Sequence, residues 1–121
     1  MTTQEIAGVT TLVVDREGPM IDTRQAAVDV VGDALSTRAK LVAIPVERLT
    51  PAFFQLRTGL AGEVAQAFVN YGLNLAIVGD VSAEVERSAP LADWVRECNR
   101  GAQVWFVPTL DALAERLGAQ M

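Results

Sequence analysis

Arg57, Thr58, Gly59, Gly62 and Glu63 crowd together inside the string FFQLRTGLAGEVAQAFVNYGLNLAIVGD, residues 53–80, which ends on Gly79-Asp80. Arginine supplies a charged fork and threonine a hydroxyl. The glycines allow close backbone approach at a point where a helix begins and its first N–H groups lack partners. Such a set can hold an anion or present Thr58 for phosphorylation. As plain structure, Thr58 is an N-cap, Gly62 lets the helix pack on a neighbour and Arg57 lies on the surface. Gly-x-x-Gly alone matches neither nucleotide-binding fingerprint, so both readings stand.

Asp80 follows an apolar run, at the strand end where open α/β sheets bind ligands. A carboxylate there can accept a hydroxyl, or hold a metal with a partner acid. Asp15 and Glu47 are the acids placed at a similar height. The alternative is a turn aspartate that binds nearby backbone N–H groups. A second polar cluster, Arg96, Glu97, Asn99 and Arg100, closes a later helix, and Asn70-Tyr71 closes an earlier one. These belong at the opposite rim, either meeting a partner or complementing helix dipoles. Cys98 on an inward stripe reads as a small core residue. Trp94 and Trp105 read as core filling.

The chain has no histidine and one cysteine. Ser-His-Asp and Cys-His chemistry, imidazole metal ligation and a thiolate cage are therefore excluded. No nucleophile–base pair is visible, so the expectation is a non-enzymatic protein with no cofactor and no resident metal.

With 121 residues and a 50% hydrophobic fraction, the chain fits one domain with an aliphatic core. Its 10 Lys plus Arg stand against 15 Asp plus Glu, for a net charge of -5. That balance opposes a phosphate backbone, and the basic residues do not cluster, so no nucleic acid partner is expected. No apolar run suits a membrane span and no signal-peptide core precedes residue 9. A lone cysteine fits a reducing cytoplasm.

These residues are positioned by alternating strands and helices. Residues 9–14 read as a strand, with a short second strand at Met20-Ile21. Asp22 and Gln25 form a capping box for a helix over 23–36, whose stripe is Ala27, Val28, Val31, Ala34 and Leu35. Residues 41–46 form a strand buried on both faces. Thr50-Pro51 opens a helical turn over 51–54. A helix over 58–71 turns Leu60, Val64, Ala67, Phe68 and Tyr71 inward and ends at Gly72. Further strands fall at 73–78 and 103–107. Helices follow over 88–99, capped by Ser88, and over 109–117, capped by Thr109. Residues 1–8 and the last few are expected to be loose.

The expected fold is therefore a single α/β domain with a four- or five-stranded, mainly parallel sheet. Its expected core includes Val13, Val31, Val42, Ile44, Val64, Phe68, Leu75, Ile77, Val95, Phe106 and Leu113.

The string 53–80, followed by DWVRECNRG and VWFVPTLDAL, resembles a bacterial family known as domain of unknown function 4180 over residues 40–115. The resemblance implies a compact cytosolic domain and brings no activity. The family's recurrent polar positions fall here on Arg57, Thr58, Glu63, Gln66, Asn70, Tyr71, Asp80, Arg96, Glu97 and Asn99. More distantly, the chain resembles the STAS domain of anti-sigma factor antagonists, where a strand leads through a loop to Asp-Ser-Ser-Gly-Leu and a helix. Thr58-Gly59-Leu60 stand at its Ser-Gly-Leu, while Leu56 and Arg57 depart from its Asp-Ser pair. That second resemblance implies a STAS-like fold and a protein partner.

Two functional expectations follow. The leading one is a regulatory or protein-interaction module whose contact surface is Arg57, Thr58, Gly59, Gly62 and Glu63 with Asp80; Asn70, Arg96 and Asn99 form a secondary rim. The other is a domain that binds a small anionic metabolite, or a minor enzyme, at the strand C-terminal rim. Self-association stays open.

Overall fold

The computed structural model describes residues 1–119. A five-stranded sheet runs in the order β1 (Thr2–Ile6), β2 (Val9–Val13), β3 (Leu41–Pro45), β4 (Asn74–Val78), β5 (Val104–Val107). Only the β1–β2 pair is antiparallel. The helices are α1 (Arg24–Ser36), α2 (Leu60–Asn70), α3 (Ser82–Arg87), α4 (Ala89–Arg100) and α5 (Leu110–Ala119). The expected single α/β domain with a mainly parallel sheet is the fold observed.

The order explains the layering. Strands β2 to β5 follow one another across the sheet in one direction. Right-handed crossovers between parallel neighbours then put every connecting helix on the same face. On that face Val31, Val64 and Phe68 from α1 and α2 meet Val42, Ile44, Leu75, Ile77 and Phe106 in one cluster. The other face is left to α5, whose Leu113 and Leu117 cover Leu41, Ala43, Ala76 and Trp105. Strand register sets Ala43, Ala76 and Trp105 in one row, so the large indole has small neighbours. Of the expected core, Val13 and Val95 are only half-buried, and the others are buried.

Several local expectations are corrected. Residues 2–6 are not loose, because they pair with β2 through a two-residue turn. Ala7 and Gly8 hold φ 49° and 84°, the positive pair a type I′ hairpin requires. Ala-Gly is a weaker signal for that turn than Asn-Gly. Met20-Ile21 is no strand; Ile21 N–H instead donates to the Arg48 carbonyl at 2.8 Å.

Thr23, not Asp22, caps α1, accepting from the Ala26 N–H at 3.0 Å, while Gln25 donates to Asp29. The buried stripe of α1 is Ala27, Val30, Val31 and Ala34, which leaves Leu35 48% exposed. Tyr71 follows the last residue of α2 and turns outward, 54% exposed. Gly72 ends that helix as expected, at φ 72°. Gly72 N–H donates to the Val69 carbonyl and Leu73 N–H to the Phe68 carbonyl, a Schellman closure. The C-terminal residues expected to be loose are helical as far as Ala119, while 120 and 121 lie outside the described residues. Among the described residues no helix is long and apolar enough to cross a membrane.

Candidate functional site

Parallel strands bring their C-terminal ends, and the loops that follow them, to one rim. The loop after β3 is the most elaborate. It makes three single turns of 3-10 helix, Val46–Arg48, Pro51–Phe54 and Leu56–Thr58, before Gly59 reverses it into α2 at φ 76°. Phe53 is its buried anchor, edge-to-face with Phe54 at 5.2 Å and with Trp94 of α4 at 6.4 Å. Trp94 is only half-buried, completing the stack with Phe106 at 5.6 Å.

Arg48 holds this loop to the one after β2. It is 8% exposed, and its guanidinium donates to the carbonyls of Pro19 at 2.7 Å and Asp15 at 2.9 Å. Gly18 lies against it at φ 145°, where a Cβ would stand 2.8 Å from the guanidinium. Nothing in the sequence marks Arg48: inside VERLT it looks like an ordinary surface arginine.

Two clefts open on the rim. The larger, about 800 Å³, lies between the 46–57 segment and the α3–α4 junction, with Arg57, Asp80, Glu84 and Arg87 on its walls and Val46, Phe54 and Leu56 among its apolar lining. The smaller, about 540 Å³, lies over the strand ends with Asp15, Glu47, Asp80 and Asp111 opposite a single Arg16. The three acids noted at one height in the sequence thus do share a cleft. Asp111, Glu84 and Arg87 were missed, the last two because α3 went unrecognised. Asp80 followed by Ser82 is the signal that could have found it, since an aspartate two residues ahead accepts from the backbone and starts a turn. Among the described residues no group of three or more Cys, Asp or Glu side chains could hold a metal ion.

The expected site divides. Arg57 and Asp80 line the larger cleft, whereas Thr58, Gly59, Gly62 and Glu63 line neither. Thr58 Oγ lies 2.7 Å from the Ala52 carbonyl and 2.8 Å from that of Gln55, and accepts weakly from the Leu60 N–H at 3.3 Å. Its hydroxyl pins the loop. Gly59, rather than Thr58, occupies the cap position of α2. A Cβ on Gly62 would meet open space, so Gly62 is not a packing glycine.

Charge pairing sorts the rim further. Arg16 reaches Glu47 at 3.7 Å and Arg87 reaches Glu84 at 3.9 Å. Among the described residues Arg57 has neither an ion pair nor a side-chain hydrogen bond, with Glu63, Asp80 or any other group. Asp80 accepts from the Ser82 N–H at 2.9 Å. The Ser82 side chain, and then its backbone N–H, hold the Asp80 carboxyl below the usual carboxylate range.

At the opposite rim the polar residues are committed internally. Asn99 Oδ1 accepts from the Phe106 N–H at 2.7 Å, satisfying the edge strand β5. Its carbonyl accepts from Arg116, whose guanidinium lies 4.9 Å from the Trp105 ring centroid. Arg96 pairs with Asp93 at 2.9 Å, and Asn70 accepts from Gln66 at 2.6 Å. Burial, and then Glu97, push the Cys98 thiol up, opposite to the shift a reactive thiolate needs.

A family model described as Domain of unknown function (DUF4180) matches residues 6–117. No curated protein and no solved structure gives a significant match.

Proposed function

The chain belongs to the DUF4180 family, and on that premise we propose that it is a non-enzymatic interaction module that docks a segment of a protein partner in the groove beside Arg57. One observation carries this reading. Arg57 lines an open groove of about 800 Å³ with apolar side chains around it, yet no group of the described residues pairs with it. Arginine and aromatic side chains beside each other in a desolvated groove are what dominate interface energetics.

The STAS-like layout is part of the proposal. A leading hairpin, a helix, and a loop into Thr58-Gly59-Leu60 agree with the order of that domain, and the resemblance implies a partner. Phosphorylation of Thr58 would remove the bonds to Ala52 and Gln55 and so act on the groove wall. A small anionic metabolite is the weaker alternative, because acids outnumber Arg16 in the cleft over the strand ends.

A photo-crosslinking residue at Gln55, on the groove, tests the reading in the native cytosol. The expected result is one stoichiometric protein adduct, lost in Arg57→Glu and retained in Arg96→Glu. An adduct that survives Arg57→Glu, or no adduct, overturns the proposal.

A further inference from the structure

We propose that the docked segment carries one acidic and one basic side chain bracketing apolar residues, and that Arg57 and Asp80 are the two residues that select it. The inference rests on the docking reading and names the chemistry of its partner.

Five charged side chains line the larger groove: Glu47, Arg57, Asp80, Glu84 and Arg87. Three of them are answered from within the fold, Glu47 by Arg16 at 3.7 Å and Glu84 and Arg87 by each other at 3.9 Å. Arg57 and Asp80 remain, opposite in sign, with no ion pair between them. Asp80 is fixed in place through one carboxylate oxygen, which accepts from Ser82. A carboxylate has further lone pairs, so the same side chain can receive a second donor from a ligand.

The lining around these charges is apolar, and part of it is rigid. Val46 is packed against Gly79 so closely that no side chain fits between them. Phe54 and Leu56 pack against the core cluster beneath. A segment that covers this surface removes water from both Arg57 and Asp80. A purely acidic segment would leave Asp80 desolvated and unpaired, and a purely basic one would do the same to Arg57. A segment with both charges leaves neither group orphaned, and its charge order fixes the direction in which it lies.

The test is selection of random heptapeptides displayed on phage against the full chain and its Arg57→Glu, Arg57→Gln and Asp80→Asn variants. Asparagine keeps an oxygen for Ser82, so Asp80→Asn removes the charge and leaves the turn. The wild type is expected to enrich peptides with an acid and a base flanking apolar residues. Arg57→Glu should exchange the acid for a base, and Asp80→Asn should lose the preference for the base. The best wild-type peptide should bind Arg57→Glu and Arg57→Gln about tenfold more weakly or worse. Peptides that bind more weakly to Arg57→Glu yet lack that charge pattern, or a preference for the base unmoved by Asp80→Asn, overturn the inference and leave the docking reading standing; affinities unmoved by Arg57→Glu overturn both. Enrichment of nothing removes the docking reading, and the inference with it.

Discussion

Gly79 and Val46 meet across the rim so tightly that a Cβ on Gly79, which holds φ 146°, would stand 2.4 Å from Val46 Cγ2. The contact fixes Val46, which lines both clefts. Gly79→Ala combines overpacking with a backbone angle that L-residues avoid, and should cost roughly 2–4 kcal/mol. Urea denaturation reads the loss. Val46→Ala in the same chain should restore part of it, and strict additivity of the two changes would show that the contact is not the cause.

Arg48 should matter for stability as much as a core residue does. Arg48→Met keeps the apolar stem but leaves the carbonyls of Asp15 and Pro19 without their donor. The expected loss is roughly 2–4 kcal/mol. Amide exchange should accelerate first in residues 15–21. A uniform change across the sheet would contradict a local tether.

Arg38 ends α1 in the left-handed position at φ 62°, closing the helix through its N–H to Leu35 and the Ala39 N–H to Ala34. This is the same closure that Gly72 supplies for α2, made by a residue with a Cβ. Arg38→Gly should therefore stabilise the protein by roughly 0.5–1 kcal/mol, read as a rise in the midpoint of thermal unfolding. A fall would mean that the arginine side chain makes up for its strain.

Asp80 sets a pH dependence whose sign is fixed. Its folded pKa lies below the ordinary 3.8, through the Ser82 side chain and then the Ser82 backbone N–H. The unfolded chain therefore takes up the proton first. The stabilising contribution is complete above the unfolded value and disappears as pH falls through the folded one. Asp80→Asn should flatten the acid limb of stability below about pH 4 and leave its slope near pH 7 unchanged. An acid limb identical in both proteins would remove Asp80 from the account.

Period and punctuation carried much of the architecture. The run 41–46 reads as a strand covered on both faces, and Leu41–Pro45 is one. Ser88, Thr109, Gly72 and Gly101 mark helix ends through chemistry local to each. Local reasoning failed where a neighbour decides. Thr2–Ile6 has little apolar content and becomes a strand because β2 offers it a ladder. The buried stripe of α1 keeps Ala27, Val31 and Ala34 but takes in Val30 and leaves Leu35 exposed, because the sheet and α2 determine which side is covered.

The candidate site followed the same division. Arg57 and Asp80 stand out by residue type and by their places at a loop end and a strand end. By composition alone the chain also excludes histidine and thiolate-cage chemistry. The sequence reading groups Arg57 with Thr58, Gly59, Gly62, Glu63 and Asp80, whereas the fold keeps only Asp80 of these beside it and adds Glu84 and Arg87. The physical reason is the excursion after β3: its three tight turns swing Arg57 toward the rim and use the Thr58 hydroxyl to hold the bend. Local hydrogen bonding and hydrophobic period are written in neighbouring residues and can be read from them. Which charges find partners depends on distances between loops far apart in the chain, and only the packed sheet sets those.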